Sequence, residues 1–83
     1  MKGIYPVQVK PIKDYRLLIT FDNGEVREFD VNPYLEDAFF SPLRDPRIYN
    51  SVRTNPISIE WDGGIDICPD ELYCSSTLVG YVL

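Results

Sequence analysis

Phe21-Asp22-Asn23-Gly24 and Trp61-Asp62-Gly63-Gly64 decide the reading of this chain. Each lies between two short apolar, β-prone runs. Asn, Asp and Gly tolerate the left-handed backbone of a tight turn, so each stretch reads as a β-hairpin tip. The register at the first tip follows from its flanks. A two-residue Asn23-Gly24 turn would set Phe21 opposite Val26 and Ile19 opposite Glu28. A three-residue loop, Asp22-Asn23-Gly24, sets Leu17 opposite Phe29 and Tyr15 opposite Val31. The second option gathers the apolar residues and puts Gly24 at the left-handed position of a bulged loop. At the second tip, Ile57, Ile59 and Trp61 alternate with Ser58 and Glu60. A loop of Asp62-Gly63-Gly64 then pairs Trp61 with Ile65 and Ile59 with Ile67. It also sets Glu60 opposite Asp66 on the outer face, where like charges cost stability. Two explanations stand: both carboxylates splay into water, or a cation or basic partner group docks there.

Working outward, residues 4–12 read as a first strand whose Pro6 and Pro11 mark an edge or an interrupted strand. Strands at 15–21 and 25–31 form the first ribbon, and strands at 57–61 and 65–68 the second. Between the ribbons, Asn32-Pro33, Ser41-Pro42 and Asp45-Pro46 each join a capping residue to a proline at a helix start. The expectation is three short helical pieces at 33–37, 42–44 and 46–52. In the last, Ile48 and Val52 share a face beside Tyr49. Phe39-Phe40 anchors this segment on the sheet. Pro69 opens a further short helix over 69–74, with Asp70 and Glu71 in its first turn, where acids complement the helix dipole. The tail over 74–83 is apolar. Its residues 77–83 must pair with the sheet, dock on the core or pack against a second copy. The fold class read is α+β: one small domain over 1–83, an antiparallel sheet of two hairpins plus an N-terminal strand, with short helices on one face.

The chain carries 13 acidic and 8 basic residues, a formal net charge of −5 over 83 residues. Such a surface repels a phosphate backbone, so direct nucleic-acid binding is not expected. No segment approaches a membrane span and no leader is evident, which reads as a cytoplasmic protein. Cys68 and Cys74 read as two buried or half-buried thiols in a reducing compartment. The absence of histidine from the sequence removes Ser–His and Cys–His nucleophile pairs and leaves two thiolates short of a zinc site. No cofactor is expected.

Together the motifs resemble a known family. The series Leu17-x-Ile19-x-Phe21-Asp22-Asn23-Gly24-Glu25 is followed by Phe29-Asp30-Val31, then by Phe40-x-x-Leu43-x-Asp45-Pro46. Last comes Ile59-Glu60-Trp61-Asp62-Gly63-Gly64-Ile65-Asp66-Ile67-Cys68-Pro69-Asp70-Glu71-Leu72-Tyr73. Over about residues 4–73 this is similar to the small bacterial family catalogued as domain of unknown function 2442. The resemblance implies a small α+β fold with an antiparallel sheet, like the N-terminal domain of a Nitrosomonas protein of unknown function. It implies no established catalysis. Members often stand alone, and some precede a helix-turn-helix, for which this chain has no room. Many are encoded beside a small partner thought to act as a toxin.

The candidate partner-binding residues are Glu60, Trp61, Asp62, Asp66, Asp70, Glu71 and Tyr73. The five acids lack the spaced oxygen loop of a calcium or magnesium site. They read as a solvated face or as a docking patch for a basic protein. Trp61 reads first as core and second as an interface anchor. The Tyr73 ring closes the core while its hydroxyl needs water or a partner. The function expected is a non-catalytic, antitoxin-like module that engages a small partner protein through its sheet edge and acidic face. The alternative is a stand-alone adaptor or small-molecule sensor that self-associates through its C-terminal tail.

Overall fold

Each glycine-tipped ribbon closes through a three-residue loop, in the register its apolar residues require. In the computed structural model, which describes residues 3–82, strand β2 (Arg16–Phe21) pairs antiparallel with β3 (Glu25–Asp30). Leu17 faces Phe29, and Gly24 takes φ +89°. Strand β1 (Pro6–Ile12) lies outside β2. Strand β4 is the two-residue Arg53–Thr54, followed by β5 (Ile59–Trp61) and β6 (Ile65–Ile67). Trp61 faces Ile65, Glu60 faces Asp66 and Ile59 faces Ile67. The last strand, β7 (Thr77–Tyr81), pairs with β3. The result is a small α+β fold of two antiparallel sheets, ordered β1-β2-β3-β7 and β4-β5-β6.

Period-two alternation places Leu17, Ile19 and Phe21 on one face of β2, and all three are fully buried. They form one cluster with Phe29, Val31, Leu35, Leu43, Tyr49, Ile59, Trp61, Ile65, Ile67 and Leu72. The inner faces of both ribbons therefore share one core. Burial of each large apolar side chain contributes about 1.5–3 kcal/mol.

The connecting segment differs from expectation in its details. The helical pieces are two 3₁₀ turns, Asn32–Glu36 and Ser41–Arg44, and helix α1 (Pro46–Tyr49). Of the three expected caps only Asp45 acts as one, accepting from the Arg47 amide at 3.0 Å. The Asn32 side chain is spent on the Asp14 carbonyl and the Asp30 carboxylate, and the Ser41 hydroxyl on the Ala38 carbonyl. Helix α1 stops before Val52, and its buried residue is Tyr49 rather than the Ile48–Val52 pair. Phe39 is half exposed, so Phe40 alone of that pair packs against the core.

Two further corrections concern strands. The second ribbon begins at Ile59, not Ile57, and β4 adds a third strand to it. The β1–β2 connection is itself a hairpin, without a glycine. Asp14 and Tyr15 carry φ of +64° and +59°. Long-range contacts hold this unfavourable backbone. Asn32 donates to the Asp14 carbonyl at 2.8 Å, the Tyr15 hydroxyl donates to the Arg44 carbonyl at 2.8 Å, and the Tyr15 ring lies 4.8 Å from that of Tyr49. Helix α2 (Pro69–Cys74) follows β6 and buries Leu72 against the core, while Cys68 just before it and Cys74 at its end are exposed rather than buried or half-buried as expected.

Candidate functional site

The outer face of the β5–β6 ribbon carries three of the acids singled out in the sequence. Pairing of β4 with β5 brings Arg53 opposite Glu60. Its guanidinium Nε and Nη2 lie 3.2 and 3.1 Å from Glu60 Oε2, and its Nη1 lies 2.7 Å from Asp62 Oδ1. Asn55 Nδ2 donates to Glu60 Oε1 at 2.8 Å. The Asn55 hydrogen bond, then that of Arg53, holds the Glu60 carboxyl below its ordinary range. The two carboxylates raise Arg53 in return, Asp62 most. One member of the like-charge pair, Glu60, is thus answered from within the chain. Asp66, across from Glu60, is exposed and meets no described group by hydrogen bond or ion pair.

Beside β6 lies an open groove of about 580 Å³. Pro56, Ile57, Ile67 and Pro69 contribute its apolar lining, and Asn55, Ser58, Glu60, Asp66 and Cys68 its polar and thiol groups. Asn55 builds this feature. Its Oδ1 accepts from the Ile57 and Ser58 amides at 2.9 and 2.6 Å, closing a tight side-chain turn around Pro56. That turn throws Ile57 outward to 63% exposure and rotates Ser58 inward. The Ser58 hydroxyl is buried with no hydrogen-bond partner among the described residues, as is the Trp61 Nε1. Trp61 is a core residue, 2% exposed, and offers no surface to a partner in this state.

The remaining candidates belong to α2. Asp70 is exposed in its first turn. The Glu71 carboxylate accepts from the Tyr34 hydroxyl and from the Ser75 hydroxyl. Burial, then Glu71, pushes the Tyr34 hydroxyl up. Tyr73 lies at the centre of a network the sequence did not reveal. Its hydroxyl donates to both Glu25 carboxylate oxygens at 2.9 Å, and its ring meets Phe21 edge-on at 5.1 Å. The Arg27 guanidinium stacks 4.4 Å from the ring centroid. Arg27 also donates to Glu25, to the Ser76 hydroxyl at 2.7 Å and to the Ser76 carbonyl at 3.1 Å. Arg27 is the main reason the Glu25 carboxyl sits below its ordinary range, and Glu25 in turn raises Tyr73. The network clamps α2 and the start of β7 onto β3. Its only sequence signal is Glu25-x-Arg27, which places both charges on one face of β3.

Strand β7 is the other open feature. Among the described residues it pairs only with β3, so its far side is an edge. Gly80 faces Val26 and Leu78 faces Arg27, which leaves Val79 as a bulge. Leu78, Val79, Tyr81 and Val82 are all exposed.

Among the described residues, no group of three or more His, Cys, Asp or Glu side chains is placed to hold a metal ion, and no helix is long and apolar enough to cross a membrane. The fold and these surfaces define a small α+β protein of two antiparallel sheets with an open edge strand and a groove. The chain belongs to the family described as Protein of unknown function (DUF2442), whose family model matches residues 6–77. Searches of the curated proteins and of the solved structures gave no match.

Proposed function

We propose that this chain is a non-catalytic protein-binding module, antitoxin-like in role. It engages a small partner protein through the β7 edge and the acidic face of the β5–β6 ribbon. The observation that carries the reading is the state of β7. An edge strand offers unpaired amide and carbonyl groups to an incoming strand, and proteins that must not pair there place lysine or proline on the edge. Strand β1, the opposite edge of the same sheet, has Pro6, Lys10 and Pro11. Strand β7 has neither proline nor charge, and its apolar side chains face solvent. Asp66 and Asp70 add exposed negative charge suited to a basic partner.

A catalytic role for the acidic face is disfavoured by Glu60. Asn55 and Arg53 hold it ionised, so it is a poor proton donor near neutral pH. The net charge of −5 disfavours nucleic acid as the direct partner. A cytoplasmic setting suits the two exposed free thiols, Cys68 and Cys74. The family resemblance makes a toxin encoded nearby the expected class of partner.

Co-expression of the tagged chain with the small protein encoded beside it tests this reading. A complex that survives purification is expected; no complex, together with unaffected growth, overturns it. A second copy is the rival occupant of β7, because an edge without charge can pair with itself free of like-charge repulsion. Sizing the purified chain separates the two. A dimer that Val79→Lys converts to monomer supports self-pairing, and a monomer at every concentration removes it.

A further inference from the structure

We propose that the groove beside β6 is a binding site for an arginine side chain borne on an apolar segment of the partner protein. The inference rests on the protein-binding reading only for the source of that arginine. Three observations lead to it. First, the charge around the ribbon is unbalanced. Arg53 supplies one positive charge against Glu60, Asp62 and Asp66, leaving two negative charges in excess. Asp66 is the carboxylate left unanswered among the described residues, and it lines the groove. Secondly, Ile57, Ile67 and Pro69 give the groove apolar lining, and Ile57 is 63% exposed. A long cationic side chain packs its stem on such a lining while its head meets a carboxylate. A guanidinium also forms paired hydrogen bonds with a carboxylate, which an ammonium does not. Thirdly, Ser58 also lines the groove; it is 4% exposed, and its hydroxyl has no partner among the described residues. A buried unpaired hydroxyl is a standing cost that a donor relieves once the lining yields enough for it to reach the oxygen.

The chain carries its own reporter. Cys68 lines the groove, whereas Cys74, at the far end of α2, does not, and both thiols are free and exposed. The probe is a capped Leu-Arg-Leu-Arg-Leu peptide, with capped Leu-Gln-Leu-Gln-Leu as the neutral control. The readout is the rate of maleimide addition at each cysteine, resolved by mass spectrometry. The arginine peptide is expected to slow Cys68 and leave Cys74 unchanged, while the neutral peptide slows neither. Asp66→Asn should weaken the protection about tenfold, the effect of losing a hydrogen-bonded charge. Equal protection by the neutral peptide, protection of both cysteines, or full protection in Asp66→Asn overturns the proposal. So does no protection of Cys68 at any peptide concentration. The Val79→Lys variant separates this proposal from the edge reading. It should still bind the peptide, so loss of partner capture with peptide protection intact concerns β7 alone. Failure of the peptide test with partner capture intact sinks the groove alone.

Discussion

The two ribbons share a three-residue loop opening on aspartate, a left-handed glycine and an apolar inner face, yet Glu25 and Arg27 of the first and Glu60 and Asp66 of the second end in opposite states. The β2–β3 ribbon has a strand on either side, β1 and β7. Its Glu25 and Arg27 are 18% and 16% exposed and are consumed by each other, Tyr73 and Ser76. Among the described residues the β5–β6 ribbon has a strand on one side only, β4. Its Glu60, paired with Arg53, stays in contact with solvent, and Asp66 meets no answering charge among the described residues. Local sequence therefore sets the turn and the register. Distant neighbours decide whether a charge becomes part of the frame or stays open to a partner.

The sharpest way to break the comparison is through the core that both ribbons share. Trp61→Ala should cost about 3–5 kcal/mol, the usual range for a fully buried large aromatic. Urea unfolding followed by circular dichroism should show one cooperative transition moved to lower denaturant; two separate transitions would show that the ribbons do not share a core. Next in size is the contrast between the two arginines. Arg27→Met leaves the shielded Glu25 carboxylate without its main partner and uncovers Tyr73, so its melting temperature should fall clearly. Arg53→Met removes a solvent-exposed pair and should shift the melt only slightly. Equal shifts would erase the distinction between a framework network and an open face.

A smaller effect appears with pH. Glu25 and Glu60 both titrate below their ordinary value of 4.5 in the folded chain. Because the unfolded chain binds these protons more readily, the stability they supply is complete above about pH 4.5 and is lost as pH falls through the folded values. Chemical denaturation from pH 7 to 3 should show this decline, and Glu25→Gln should flatten it. An unchanged acid limb in that variant would contradict the role given to Glu25. The smallest effect is expected at Ile57. Ile57→Ser should alter stability by no more than about 0.5 kcal/mol, since the side chain already faces water. A larger loss would mean that the groove wall is part of the core.

What the sequence discloses tracks how local its causes are. Both registers were legible because glycine marks the loop and alternation marks the inner face. The β1–β2 hairpin was not, because Asp14 and Tyr15 carry no glycine signal. They are held by Asn32 and Arg44, far along the chain. Strand β4 is too short for any period to show. Its absence from the sequence reading hid Arg53, and with it the reason that Glu60 and Asp66 can face each other. Ile57 looked like a strand residue because it continues the alternation of Ile59 and Trp61, but the Asn55 side chain turns the backbone ahead of it. Of the candidate site residues, Glu60, Asp62 and Asp66 do gather on one face, Trp61 lies beneath it, and Glu71 and Tyr73 are bound up with Tyr34 and Glu25. Tyr73 and Glu25 stand 48 positions apart, a pairing that no spacing rule exposes.

The most direct test of the account is partner retention by Val79→Lys, a charge placed on the bulge of the open edge. Co-expressed with the small protein proposed as its partner, the wild-type chain should carry it through purification, and the variant should lose it while melting like the wild type. A variant that keeps its partner as firmly as the wild type would contradict β7 as the docking edge.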